Sequence, residues 1–207
     1  MNRTTASGML AAVLAATVLA GCGTTAPAST AQGSASSAEA SPRSTAHNEA
    51  DVAFVQGMIP HHTQAVDMTR LVAGHTSNQK IVDLAAQIAR AQGPEITQMQ
   101  GFLQSWGTPA APTATSGGMS GMSGMGTGTA MPGMMSDQQM QQLGAANGTG
   151  FDRMFLQMMI EHHTGAVTMA QSELRDGQSA DAKALAQKII DAQQAEIATM
   201  KQLQAGS

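Results

Sequence analysis

One phrase occurs twice in this chain. Residues 54–68 read Phe-Val-Gln-Gly-Met-Ile-Pro-His-His-Thr-Gln-Ala-Val-Asp-Met, and residues 155–169 read Phe-Leu-Gln-Met-Met-Ile-Glu-His-His-Thr-Gly-Ala-Val-Thr-Met. The offset is 101 residues, without a gap. A second segment repeats at the same offset: Ile88-Ala-Arg-Ala-Gln92-Gly-Pro-Glu95-Ile96-Thr-Gln-Met99 aligns with Ile189-Ile-Asp-Ala-Gln193-Gln-Ala-Glu196-Ile197-Ala-Thr-Met200. The chain must therefore build two like units from like parts.

Each unit has helical periodicity. With Met58 as origin and about 100° per residue, Asp51, Phe54, Val55, Ala65, Thr69 and Val72 fall on one stripe. Gln56, Pro60, Thr63, Gln64, Asp67 and Arg70 take the opposite side, so this is an amphipathic helix. His61 and His62 straddle Met58. Residues 74–78 form a turn, and a second helix runs from about Gln79 to Ser105. Pro60 should kink the first helix by freeing the Gln56 carbonyl, unless it lies in a first turn, and Gly93-Pro94 should bend the second. The second copy repeats the plan after a short helix capped by Ser136 and Gln139. A lone hairpin cannot bury its stripe, but two can. The expected fold is all-α: a four-helix bundle of two repeated hairpins, residues 48–106 and 136–207, with approximate two-fold symmetry.

The remaining segments have other compositions. Residues 1–21 read as a lipoprotein signal peptide, with Arg3 before an apolar run too short for a spanning helix. The run ends in Leu19-Ala-Gly-Cys22, which resembles a bacterial lipobox, in which Cys22 carries the lipid; an ordinary secretory signal is the alternative. Cys22 is the single cysteine, which excludes an intrachain disulfide. Residues 22–47 read as a disordered tether, with His47 a solvated linker residue. The expected location is the outer face of the cytoplasmic membrane. Loss of Arg3 leaves nine cations against fourteen acids. Without clustered cations, nucleic-acid binding is excluded, whereas mild acidity attracts cations. Residues 107–135 are rich in Gly, Pro, Ser, Thr and Met and contain no Leu, Ile, Val or Phe, so they read as a disordered crossover.

The paired phrases, the Gln-x-x-Glu-Ile-x-x-Met helix and Phe102-Leu-Gln-Ser-Trp106-Gly107 together resemble the domain-of-unknown-function family 305. The resemblance spans nearly all of residues 48–205. It implies an exported, ferritin-like helical bundle, and copper binding as in some members. The chain departs from strict repetition where Glu161 replaces Pro60, and Trp106-Gly107 has no second copy.

The chemistry is concentrated in the repeat. His61, His62, His162 and His163 lie beside Met58 and Met159, with Met68 and Met169 farther along each phrase. Imidazole and thioether together suit copper, as Cu(I) or Cu(II). The bland reading is hydrogen-bonded histidines in an ordinary Met-packed core. Asp51 and Asp152 are candidates to orient an imidazole from outside. Glu95 and Glu196 either face the histidines or are solvated. Met119, Met122, Met125, Met131, Met134 and Met135 form a secondary thioether set, a collector for Cu(I) or Ag(I) in the crossover.

No His-Glu-x-x-His motif, no paired Glu-x-x-His and no Gly-x-Ser-x-Gly elbow occurs, so no enzyme class is recognisable. The expected function is a membrane-anchored, non-enzymatic protein that sequesters copper or silver or passes it to a protein partner. The alternatives are a ferritin-like metal oxidase and a metal-free module that docks another envelope protein.

Overall fold

The computed structural model describes residues 46–109 and 131–206; all described regular structure is helical. Helix α1 spans Glu49–His75, α2 Gln79–Trp106, α3 Asp137–Ala145, α4 Gly148–Asp176 and α5 Ala180–Ala205. The signal segment with Cys22, most of the tether, and Met119, Met122 and Met125 lie outside the described residues.

Local chemistry accounts for the helix limits. Asn48 caps α1 in a capping box with Asp51, and Ser136 caps α3 in one with Gln139. Asn78 and Ser179 accept from first-turn N–H groups of α2 and α5. Gly107 ends α2 in the left-handed conformation, at φ 66°. Pro60 lies in the interior of α1, not its first turn, and Pro94 lies inside α2, yet both helices run on. Packing on the apolar stripe outweighs one lost backbone hydrogen bond in each.

The hairpins α1–α2 and α4–α5 meet mainly through α1 and α4, while α2 and α5 touch far less. The short α3 packs across α1 and α4, with Leu143 fully buried. The apolar interior divides into two clusters. One holds Met68, Val72, Ile81, Leu84, Phe151, Phe155 and Met159; the other holds Phe54, Met58, Met99, Phe102, Leu185 and Ile189. On every long helix the two clusters occupy opposite halves. Between them run residues 59–64, 89–98, 160–165 and 191–199.

Two sequence expectations change. The crossover read as disordered through residue 135 ends earlier: Met131–Met135 packs on the bundle, and Met135 is buried. Glycine and proline, which weaken helices, here build a turn that seats on α1 and α4. His47 is half-buried and stacks on Trp106 at 4.7 Å, and Trp106 also stacks on Phe102. Aromatic contact therefore orders the end of the tether and explains why Trp106 needs no second copy.

Candidate metal centre

The layer between the two apolar clusters is polar and buried. His61, His62, His162 and His163 are each 0 % exposed, and Gln92, Glu95, Gln193 and Glu196 are buried with them. Glu95 and Glu196 face the histidines: His62 Nε2 lies 2.9 Å from a Glu95 oxygen, and His163 Nε2 lies 2.8 Å from a Glu196 oxygen. Both pairs bridge the helices of one hairpin and obey the 101-residue repeat. The Lys188 ammonium, 3.3 Å from Glu95, joins the first pair, whereas its counterpart in the other copy is Gln87.

The other two histidines meet across the hairpin interface. The rings of His61 and His162 lie 3.8 Å apart, tilted by 44°. His61 Nε2 is 3.0 Å from the carbonyl oxygen of Pro132. A backbone carbonyl only accepts, so His61 carries its proton on Nε2 and leaves Nδ1 as a lone pair. The same logic applies to His62 and His163 against ionised carboxylates. The Nδ1 atoms of His61, His62 and His163, and both nitrogens of His162, are buried without a hydrogen-bond partner. So are both side-chain polar atoms of Gln92 and Gln193. Buried polar atoms normally find partners, so this concentration marks a layer not built for packing alone.

Burial keeps the imidazoles of His61, His62 and His162 neutral. Burial pushes His61 down to about 4, against the Pro132 hydrogen bond and helped by repulsion from His62 and His163. Burial also lowers His62, opposed by Glu95, and lowers His162 well below the usual imidazole range, aided by repulsion from its three neighbours. Burial alone would raise the Glu95 carboxyl, but hydrogen bonding to His62 and the charge of Lys188 hold it below the ordinary value. Neutral imidazole is the metal-binding form, so protons do not compete at these residues near neutral pH.

The methionines divide between core and edge. Met58 and Met159, one turn before His62 and His163, are fully buried in opposite clusters, and Met68 is buried among the first. Met169 is half-buried at the edge, over the same glycine as Met131. A Cβ at Gly57 would lie 3.0 Å from Met169 Cε and 3.4 Å from Met131 Sδ, so both side chains cover this glycine, one turn before His61. Met134, three residues after Met131, is also half-buried. Next to Met131 a cleft of about 270 Å³ opens, lined by Phe54, Pro132, Met169 and Glu173. Among the described residues, no group of three or more His, Cys, Asp or Glu stands assembled as a metal site. Any cluster here would have to include thioethers or draw its imidazoles together.

Asp51 and Asp152 do not orient imidazoles. Asp51 accepts from the backbone N–H groups of Asn48, Gln178 and Ser179, and so ties the start of α1 to the α4–α5 turn. Asp152 accepts from the Asn78 amide and ties α4 to the α1–α2 turn. The stripe carries both aspartates to the bundle ends, two to three turns from the histidines, where they cap turns. Sequence reasoning missed Gln92 and Gln193 as members of the layer, although both repeat at the 101-residue offset. It also missed Glu173, which lies against Asp51 where the first copy has Val72.

Comparison with known proteins agrees with this architecture. A secreted-type DUF305 protein of Streptomyces coelicolor has 31 % identity and a TM-score of 0.66 over 76 % of this chain and 93 % of its own. A DUF305 fragment from Deinococcus radiodurans has 29 % identity and a TM-score of 0.66 over 77 % and 98 %. CopM in its Cu(II)-bound form has 31 % identity and a TM-score of 0.62 over 75 % and 96 %, and CopM has also been solved with Cu(I) and with Ag. An uncharacterised protein, L153, of Acanthamoeba polyphaga mimivirus is 36 % identical over 53 residues, 26 % of this chain, which spans about a third (35 %) of that relative's length. The family model described as domain of unknown function (DUF305) matches residues 51–204, and the chain belongs to that family.

Proposed function

We propose that this protein binds copper or silver outside the cytoplasm, in the polar layer between its two apolar clusters. The observation that carries the reading is the set of buried, unpartnered imidazole nitrogens in that layer. Glu95, Glu196 and the Pro132 carbonyl each hold an Nε2–H, which is the arrangement that orients metal-binding histidines elsewhere. The donors are then the Nδ1 atoms of His61, His62 and His163, and His162. Met58 and Met159 add thioethers from within, and Met131 and Met169 add them at the edge. This donor set favours Cu(I) and Ag(I) over Zn(II). Metal-bound CopM, a relative of like fold, supports the choice.

The protein acts as a binding protein rather than an enzyme. Met119, Met122 and Met125 collect ions upstream of the layer, and Met134 and Met135 flank the contact point. A lipid on Cys22 anchors the chain to the membrane, and a partner protein receives the metal.

The test is a Cu(I) titration against a chromogenic chelator, with Zn(II) in parallel. Substituting His61 and His162 together should abolish the tight Cu(I) site. Unchanged stoichiometry in that double variant rejects the layer as the site. Met58→Leu and Met159→Leu nearly conserve volume and should cost under about 1.5 kcal/mol of stability. A fall in Cu(I) affinity in those variants then reports lost thioether ligation, and no fall makes both methionines packing residues.

A further inference from the structure

Met131-Pro132-Gly133-Met134 closes a tight turn, with Met134 N donating to the Met131 carbonyl at 3.1 Å and Gly133 at φ 77°. Proline second and a positive-φ glycine third are the signature of a type II turn. The turn's own hydrogen bond uses the Met131 carbonyl, which leaves the Pro132 carbonyl for His61. The seat is built on both hairpins. On α1, Gln64 clamps Met135 from both sides, accepting from its N–H at 2.7 Å and donating to its carbonyl at 2.8 Å. On α4, a Cβ at Gly165 would lie 1.9 Å from the Pro132 oxygen, and one at Gly133 would lie 2.7 Å from the Glu161 carbonyl oxygen.

Gln64 and Gly165 are the same position in the two copies of the repeat. One copy places a clamp there and the other removes the side chain altogether. Gly57 departs similarly, for its counterpart is Met158, and Met131 and Met169 lie over it. Two departures from two-fold repetition therefore converge on one segment. A two-fold bundle has two equivalent faces over its paired histidines, and among the described residues one strap is seated, on one of them. It breaks the symmetry, and these substitutions make room for it on one side.

We propose that Met131–Met135 is a seated strap whose Pro132 carbonyl is a positioning group for His61, fixing the tautomer that presents Nδ1 to the metal. It does for His61 what Glu95 and Glu196 do for His62 and His163, and it lays the Met131 thioether over Gly57, which Met169 also covers. The proposal rests on the reading of the polar layer as a soft-metal site.

The experiment uses the full chain with Gly165→Ala, which pushes the strap from its seat, and Gln64→Ala, which unclamps it. Circular dichroism identifies which variants fold; Gln64→Ala decides if Gly165→Ala does not. Two quantities are read: the His61 tautomer in the metal-free protein, by long-range nitrogen-15 spectra, and the Ag(I) affinity, by chelator competition. The expected result is loss of the single Nε2–H form of His61 and Ag(I) binding weakened by roughly 10- to 100-fold. A folded, unseated variant with the His61 signature and Ag(I) affinity of the parent overturns the proposal. If the parent chain binds no Ag(I), the metal reading fails by itself, and the tautomer spectra alone still decide whether the strap positions His61.

Discussion

Glu173 illustrates how one residue can carry a property that the repeat does not explain. It is about 1 % exposed, and beyond Asp51 its carboxyl oxygens have no partner. Burial, then the hydrogen bond and charge of Asp51, push it up to about 8 from an ordinary value of 4.5. Asp51 is held below its usual value despite burial, by the hydrogen bond from Glu173 and by the N–H groups of Asn48, Ser179 and Gln178. The proton therefore sits on Glu173. Between about pH 4.5 and 8 the folded state holds a proton that the unfolded state has released, so this residue's contribution to stability falls as pH rises. Glu173→Gln keeps a donor for Asp51 and has no proton to lose. Its stability relative to the parent should rise steadily across that interval, measured by urea unfolding at several pH values; a pH-independent difference would contradict the shared proton. The buried amides make a second residue-scale case. Gln92→Leu or Gln193→Leu removes polar atoms that have no partner and should stabilise the metal-free protein by about 1–3 kcal/mol. Thermal unfolding without metal checks this, and destabilisation would mean that the amides are satisfied by bound water.

Between elements, the ends of the bundle are held by crossed caps. Each hairpin lends an aspartate to the turn of the other, but the two are unequal. Asp51 accepts from three backbone N–H groups, whereas Asp152 accepts from the Asn78 side chain. Asp51→Ala should cost about 2–3 kcal/mol and Asp152→Ala about 1 kcal/mol, by chemical denaturation. Equal costs would show that the turns settle without the carboxylate. Helix existence and extent were legible at this scale because apolar spacing and caps are local. Pro60 and Pro94 end neither helix, because the burial of a whole stripe outweighs one lost hydrogen bond in each. The strap was illegible as a linker composition, although Pro132-Gly133 encodes a turn: the composition describes a segment without an apolar stripe, and what orders this one is a backbone seat on two distant helices.

For the whole molecule, the repeat implies interdependence. Apolar side chains of α1 and α4 complete both clusters, so neither hairpin has a closed interior of its own. Residues 46–109 alone should be largely unfolded, and mixing with residues 131–206 should restore helicity, by circular dichroism. A cooperative transition in the isolated hairpin would refute this interdependence. The sequence by itself determined that there are two like hairpins, which faces they bury, and that paired histidines and methionines share those faces, because periodicity and repetition are properties of the chain. Only the tertiary structure decided which histidine meets which, that Asp51 and Asp152 serve turns, that Glu95 and Glu196 face inward, and that the polar layer lies between two apolar clusters. Those outcomes depend on the depth at which two helices cross and on which buried polar atom comes within about 3 Å of another, distances that no spacing along one helix contains.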